Sequence, residues 1–219
     1  MTKPLQEIAY AYLKAKIEDG TMQPGQIYSE TRMAKELNIS RTPFKDALVR
    51  LSQDKYIDIL PSKGFRLHTI TEEDIGDTFQ VRCAVEGYCA LQLMERQHTS
   101  SGRLTLRQLA SLMDKMDLLL DKPEEVTAFV ELDTQFHAQL IDFAGSREFS
   151  KLFSSYVHQI ATLAVESLAE PHRIQDTFHE HQAILDAIVD EDPLACYKAV
   201  EQHMVSSRDI NLKQMKNRE

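Results

Sequence analysis

Three stretches in the second half of the chain place metal-binding side chain types on the apolar faces of helices. In "VTAFVELDTQFHAQLIDFAG" the apolar stripe runs through Val126, Phe129 and Val130, takes in Asp133, continues with Phe136 and His137, and reaches Leu140. Asp133 and His137 are four residues apart, so they share one helix face, and that face looks inward. In "RIQDTFHEHQAILDAIV", Ile174, Phe178, Leu185 and Ile188 make a stripe with His181 inside it. In "CYKAVEQHMVSSRDI", Cys196, Val200, Ser207 and Ile210 do the same around His203. Burying such groups without partners is costly. One divalent cation would satisfy all four. An Asp with three His suits Zn²⁺, Ni²⁺, Mn²⁺ or Fe²⁺, and the donor set does not choose among them. His98, His158, His172 and His179 fall off these stripes or near helix ends and read as surface residues.

The elements that must carry these residues are helical. Thr71 with Asp74 makes a capping-type start. Ile75, Phe79, Arg82, Val85, Cys89 and Leu93 then carry a long helix to about Gln97. Further helical patterns cover roughly 102–121, 123–144, 147–168, 172–190 and 193–215, punctuated by Pro123, Gly145, Pro171 and Pro193. Strand-like alternation is absent after about residue 70, so an antiparallel bundle of about six helices is expected.

The N-terminal third reads differently. Leu5, Ile8, Ala9, Tyr12, Leu13 and Ile17 recur at helical spacing over 4–19, and "DGTMQPGQ" is a turn signal. Ser29 is a good N-cap for a short helix over 30–37, with Met33, Ala34 and Leu37 inward. After the turn "NIS" a second helix runs from about Thr42 to Asp54, with Pro43 in the first turn, where its missing N–H is harmless. Phe44, Ala47, Leu48 and Leu51 form its stripe, and Lys45 and Arg50 sit on its polar face. "YIDILPSKGFRLHTI" carries two short β-type runs around Pro-Ser-Lys-Gly, a hairpin signal. Helix, short helix, turn, helix, hairpin is the winged helix-turn-helix order. The fold class is therefore mainly α. The expected domains are a winged helix-turn-helix over 1–68, a linker at 69–73 and a helical bundle over 74–219.

Charge follows the same division. The chain has 219 residues and a formal net charge of −9. Residues 1–68 hold 11 Lys/Arg against 8 Asp/Glu, while 69–219 hold 14 against 26. A basic segment on an acidic body fits a nucleic-acid contact confined to one domain. No run of about 18 apolar residues marks a membrane span, and the start lacks the apolar stretch of a signal peptide. The three cysteines, Cys83, Cys89 and Cys196, have no metal-motif spacing. They fit a reducing cytoplasm and read as buried apolar thiols.

A helix that enters the major groove needs its first turn free to approach bases and phosphates. Ser40, Arg41 and Thr42 lie at that turn, where the helix dipole and free N–H groups favour phosphate. Arg41 can pair bidentately with guanine or grip a phosphate. Lys45 lies one turn further on the same face. Lys63 and Arg66 flank Gly64 in the hairpin, where a wing could reach an adjacent groove.

Residues 5–68 resemble the winged-helix domain of GntR-type bacterial transcription regulators, through "IEDGTMQPGQIYSETRMAKELNISRTPFKDALVRLSQDKYI" and the wing Gly64. Met33-Ala34 stands for the usual Leu-Ala and Lys45-Asp46 for the common Arg-Glu. Thr31 stands where an Arg often follows the Glu of the second helix, with Arg32 next to it. The resemblance adds Thr31 and Arg32 to the DNA-contact candidates. Residues from about 74 to 215 resemble the helical ligand-binding domain, FCD, of the FadR-type branch. Its metal-binding members carry Asp-x-x-x-His and two later His on separate helices, an order that Asp133, His137, His181 and His203 match. The resemblance implies a metal that helps hold a small organic acid. Arg82 stands where such domains often turn an Arg into the pocket, and its inward position on the stripe argues the same. A salt bridge to Glu86 one turn on is the alternative reading of Arg82.

These residues predict a ligand-responsive regulator, expected to be a repressor. It would be a cytoplasmic homodimer on double-stranded, roughly palindromic operator DNA. One alternative is a metal-dependent enzyme. No His-Glu-x-x-His, phosphate loop or nucleophile elbow supports it, and "HEH" at 179–181 is too short. Another is a DNA-binding dimer with no small-molecule effector.

Overall fold

The structure is a computed structural model, and residues 3–218 are described. Met1, Thr2 and Glu219, the outermost residues of the two expected domains, lie outside the described residues. The chain divides into two compact units, one ending at Ile70 and one beginning at Thr71.

The first unit is built from α1 (Leu5–Glu18), α2 (Glu30–Glu36), α3 (Arg41–Gln53), β1 (Ile57–Leu60) and β2 (Gly64–Leu67). Helix α1 packs on α3. Leu13, Phe44, Leu48, Leu51 and Phe65 are fully buried at the shared core. Removing the side chain of a residue such as Leu48 would cost about 2–5 kcal/mol. Ser29 caps α2 by accepting from the Arg32 N–H at 3.4 Å. Asn38 turns the chain between α2 and α3 with φ 53°, a left-handed conformation that Asn tolerates better than most residues. The hairpin is antiparallel, with Leu60 opposite Gly64 and Ile57 opposite Leu67. Tyr28 adds a bridge to Phe65 through bonds of 2.7 and 3.1 Å.

Gly64 is the residue that lets this edge close. Its φ is +120°, and a Cβ there would stand 2.1 Å from the Tyr28 carbonyl oxygen. Backbone strain alone in this region costs about 1–3 kcal/mol for other residues, and the clash adds to it. Gly64→Ala is expected to lower the stability of this unit by at least about 2 kcal/mol. Urea unfolding followed by circular dichroism would check this; an unchanged midpoint would contradict the packing at Tyr28.

The second unit holds α4 (Glu72–Glu95), α5 (Ser100–Asp117), α6 (Val126–Ala144), α7 (Arg147–Leu168), α8 (Arg173–Val189) and α9 (Pro193–Lys216). Thr71 and Asp74 form a full capping box at the start of α4. Helix α4 contacts α6, α7, α8 and α9, so besides the stripe through Ile75, Phe79, Arg82, Glu86 and Cys89 it also buries Thr78, Gly87 and Ala90 to the sides. Gly145 ends α6 in the left-handed conformation, φ 70°, the usual glycine role after a helix.

Three readings of the sequence need correction. Helix α5 stops at Asp117 rather than near 121, because Leu119 and Leu120 bond to Met116 and Asp117 in tight three-residue turns. The helix expected from 123 begins as a 3-10 turn, Pro123–Glu125, and becomes α-helical only at Val126. Cys89 and Cys196 are buried, but Cys83 is only half-buried, its sulfur 3.9 Å from the Tyr197 hydroxyl. Among the described residues no helix is long and apolar enough to cross a membrane.

Candidate metal centre and DNA-contact residues

Helix α6 carries Asp133 and His137, α8 carries His181 and α9 carries His203, and all four are buried. Each offers one ligand atom, and these atoms lie within 4.8 Å of one another. His137 Nε2 is central. It stands 3.3 Å from His181 Nε2, 3.2 Å from His203 Nε2 and 3.6 Å from Asp133 Oδ1. His181 Nε2 is 3.4 Å from the same Asp133 oxygen. Ligands bonded at zinc–nitrogen lengths around a tetrahedral centre stand about 3.3–3.4 Å apart, so these separations suit one shared cation.

The far side of each ring fixes the chemistry. His137 Nδ1 lies against Glu86 Oε2, and His203 Nδ1 lies 2.8 Å from Glu180 Oε2. A carboxylate beside Nδ1 holds the proton there, which leaves a lone pair on Nε2. The two Nε2 lone pairs then face each other at 3.2 Å, beside an anionic Asp133. Neutral rings in that arrangement repel unless a cation, a proton on His137 or a metal, lies among them; a metal is the cation that would use all four ligand atoms at once, so the residues fit a bound metal. His181 is set differently: its ring stacks on Phe136 with centroids 4.3 Å apart and planes 12° apart.

Each supporting carboxylate is held by an arginine. Arg82 Nε donates to Glu86 Oε1 at 2.7 Å, and both residues are buried. Arg173 donates to both oxygens of Glu180 at 2.7 Å, and also to the Ser207 hydroxyl at 3.0 Å. Burial pushes the Glu86 carboxyl up, but Arg82 and His137 outweigh it and hold it down to about 2. Burial likewise opposes ionisation of Glu180, and His203 and Arg173 hold it down to about 2. Asp133 is held below the usual carboxylate range: burial raises it, but His137 and His181 outweigh burial. His181 is pushed well down by burial and by His203. His203 is lowered by burial despite Glu180. His137 is also opposed by burial, but Glu86 and Asp133 raise it. Two neutral ligand imidazoles are the form a metal takes.

Sequence reasoning named Glu86 only as a salt-bridge partner of Arg82, which it is, and missed its place against His137; it missed Glu180 and Arg173 altogether. The signal lay in spacing: Arg173 and Glu180 are seven apart on α8 and so share a face. If Glu180 orients His203, Glu180→Gln is expected to weaken metal binding about 10- to 100-fold. Competition against a chromophoric chelator would measure it, and an unchanged affinity would separate Glu180 from the centre.

A cavity of about 20 Å³ adjoins the ligands, roughly the room of one or two water centres. Asp133 and His203 line it together with Arg82, Ser207, Asn211 and the apolar Phe79 and Leu163. Arg82 thus both lines the cavity and pairs with Glu86. His98, His172 and His179 are exposed, whereas His158 is half-buried on α7; it packs deeper than its off-stripe position suggested.

In the first unit, Ser40, Arg41, Thr42 and Lys45 are exposed along the first turns of α3. Ser40 stands at the N-cap with extended backbone, and its side chain makes no capping bond. Thr31 and Arg32 are exposed on α2, with Arg32 3.4 Å from Glu36. Lys63 is exposed at the hairpin tip, and Arg66 is exposed but 3.2 Å from Asp58. Exposed pairs of this kind contribute little and exchange readily for a phosphate. Gly64 is half-buried beneath Tyr28, so its part is to shape the hairpin. Arg50 turns back onto its own unit, over the Tyr10 ring at 4.2 Å and 3.9 Å from Glu7.

Comparison with known proteins places both units. The FCD domain family matches residues 77–206, and the family of bacterial regulatory proteins, gntR family, matches residues 5–67. The chain is 22% identical over 208 residues to the uncharacterized HTH-type transcriptional regulator YdhC of Bacillus subtilis (strain 168), covering 95% of this chain and 89% of that one. It is 22% identical over 206 residues to the HTH-type transcriptional repressor RspR of Escherichia coli (strain K12), covering 93% and 87%. The fold is similar to that of E. coli McbR/YncC, with a TM-score of 0.69 at 17% identity, over 98% of this chain and 100% of that one. With a DNA-binding helix-turn-helix followed by an FCD domain that alone spans more than half of its length, the chain belongs to the GntR family of bacterial transcription regulators, in the FadR-type branch.

Proposed function

We propose that this regulator is a cytoplasmic homodimeric repressor whose bundle holds a divalent metal and, beside it, a small carboxylic acid effector. The observation that carries the reading is the meeting of three imidazole nitrogens and one carboxylate from α6, α8 and α9 beside a cavity that Arg82 lines. Asp133, His137, His181 and His203 would hold the metal, which supplies a positive charge that a carboxylate can bind. Arg82 adds a guanidinium at the same cavity. The DNA contacts would come from Ser40, Arg41, Thr42 and Lys45 on α3. Thr31 and Arg32 on α2, and Lys63 and Arg66 on a wing shaped by Gly64, would add to them. A two-fold operator needs two such modules, hence the dimer. The similarity to RspR, which is named a repressor, supports repression.

The tightness of the cavity suggests the coupling. An acid larger than about two waters enters only if the walls on α4, α7 and α9 part. A ligand that binds only the parted form shifts the population toward it. Helix α4 begins directly after the linker, so its movement is the event that could reach the DNA-binding unit.

The test is fluorescence anisotropy on the intergenic DNA upstream of the protein's own gene, at fixed salt, with and without chelator and with candidate acids. Specific binding that an acid changes would support the reading. Specific binding that neither chelator nor any acid alters would remove the sensor part of it.

A further inference from the structure

Asn211 lies on α9 two turns beyond His203, is 1% exposed, and lines the same cavity. Its Nδ2 donates to the Ser207 carbonyl at 2.8 Å. An amide oxygen cannot face a carbonyl oxygen, so this bond fixes which way the amide points. Oδ1 is left buried with no hydrogen-bond partner among the described residues. On α4, Arg82 Nη2 is in the same position: Nε is engaged by Glu86, and Nη2 is buried with no partner. Two side chains that line the cavity beside Asp133 and His203 therefore carry one unmatched donor and one unmatched acceptor, each held by a bond made elsewhere on its own side chain. Buried polar groups left unmatched carry their full desolvation cost, and a ligand that matches both recovers it.

We propose that Asn211 reads a hydroxyl of the effector, so that the pocket selects a short hydroxy acid over the plain or keto acid of the same length. This rests on the reading of the bundle as an acid sensor. The carboxylate takes Arg82 Nη2, and the hydroxyl proton goes to Asn211 Oδ1. A plain acid leaves Oδ1 unmatched. A keto acid is worse, because it turns an acceptor toward an acceptor. An ammonium group could donate to Oδ1, but it sets a positive charge beside Arg82 and the metal. The small volume favours a short chain, with Phe79 and Leu163 available to its methyl or methylene group.

The experiment is calorimetric titration of the zinc-loaded full chain with lactate, pyruvate and propionate, three acids on one carbon frame. The wild type is expected to bind lactate at least about 10-fold more tightly than either of the others. In Asn211→Ala that ratio is expected to fall toward one, with propionate affinity little changed. A lactate preference that survives Asn211→Ala would overturn the role of Asn211 and assign the selection to the metal. Equal binding of all three acids by the wild type would overturn the inference and leave the acid-sensor reading standing. No binding of any of them would overturn the inference, and the acid-sensor reading would then stand or fall on the anisotropy titrations with other acids. If the variant fails to fold, the three wild-type affinities still decide whether the pocket demands a donor.

Discussion

Replacing His137 by alanine is expected to abolish the metal response of the protein. His137 Nε2 stands within 3.6 Å of each of the other three ligand atoms, and the ring is fully buried. Losing a supporting partner of a ligand already costs about 10- to 100-fold in affinity, and losing the central ligand costs more. The readout is thermal stability. A metal at 1,000 times its Kd stabilises the folded state by about 4 kcal/mol, so the wild type should melt well above its chelated form. His137→Ala should melt at one temperature with or without zinc. A variant that still responds to zinc would show that the ion binds elsewhere. Asp133→Asn, which keeps the shape and loses the charge, should show a reduced response and so separates ligation from packing.

Arg41→Ala should weaken and relax specific DNA recognition without touching the fold. Arg41 is exposed at the first residue of α3 and makes no ion pair among the described residues, so nothing in its own unit competes for it. Loss of a bidentate base contact costs about 1–3 kcal/mol, roughly 5- to 150-fold in operator affinity, and relaxes the preference at one base pair. Lys45→Ala should act differently: a uniform loss across sequences and a salt slope smaller by about one. Anisotropy titrations at several salt concentrations distinguish the two patterns. If Arg41→Ala instead behaves like Lys45→Ala, Arg41 grips phosphate and the base reading lies elsewhere on α3.

The parts of this structure that were legible in the sequence share a cause. Asp133, His137, His181 and His203 each interrupt a run of large apolar residues at helical spacing. A single helix's periodicity is enough to say that they face inward. The caps at Ser29 and Thr71 are equally local. What was not legible depends on neighbours. Glu180 sits about 100° around α8 from His181 and reads as solvent-facing. It is covered because α9 packs on α8 and brings His203 against it. Glu86, four residues after Arg82, reads only as its ion-pair partner, because one helix's periodicity cannot show that His137 meets its other oxygen. It is buried because α4 is packed by several helices at once. The early end of α5 follows from turn hydrogen bonds that no apolar stripe records.

The proposed metal ligands would also set an order of events during synthesis. His203 lies on the last helix, roughly 130 residues after the end of the first unit. At ~5–20 residues per second, the ribosome needs on the order of ten seconds to make that stretch. The first unit has its own core, from Ala9 to Phe65, and can fold in that interval. Each newborn chain therefore passes through a period in which the DNA-reading helix is formed and the sensor is not. On the proposed dimeric, metal-dependent reading, a lone module emerging from a ribosome is a monomer whose hold on an operator is limited to what one half-site provides. On the same reading, a shortage of metal would prolong that period, and the ratio of immature to mature copies would record metal supply.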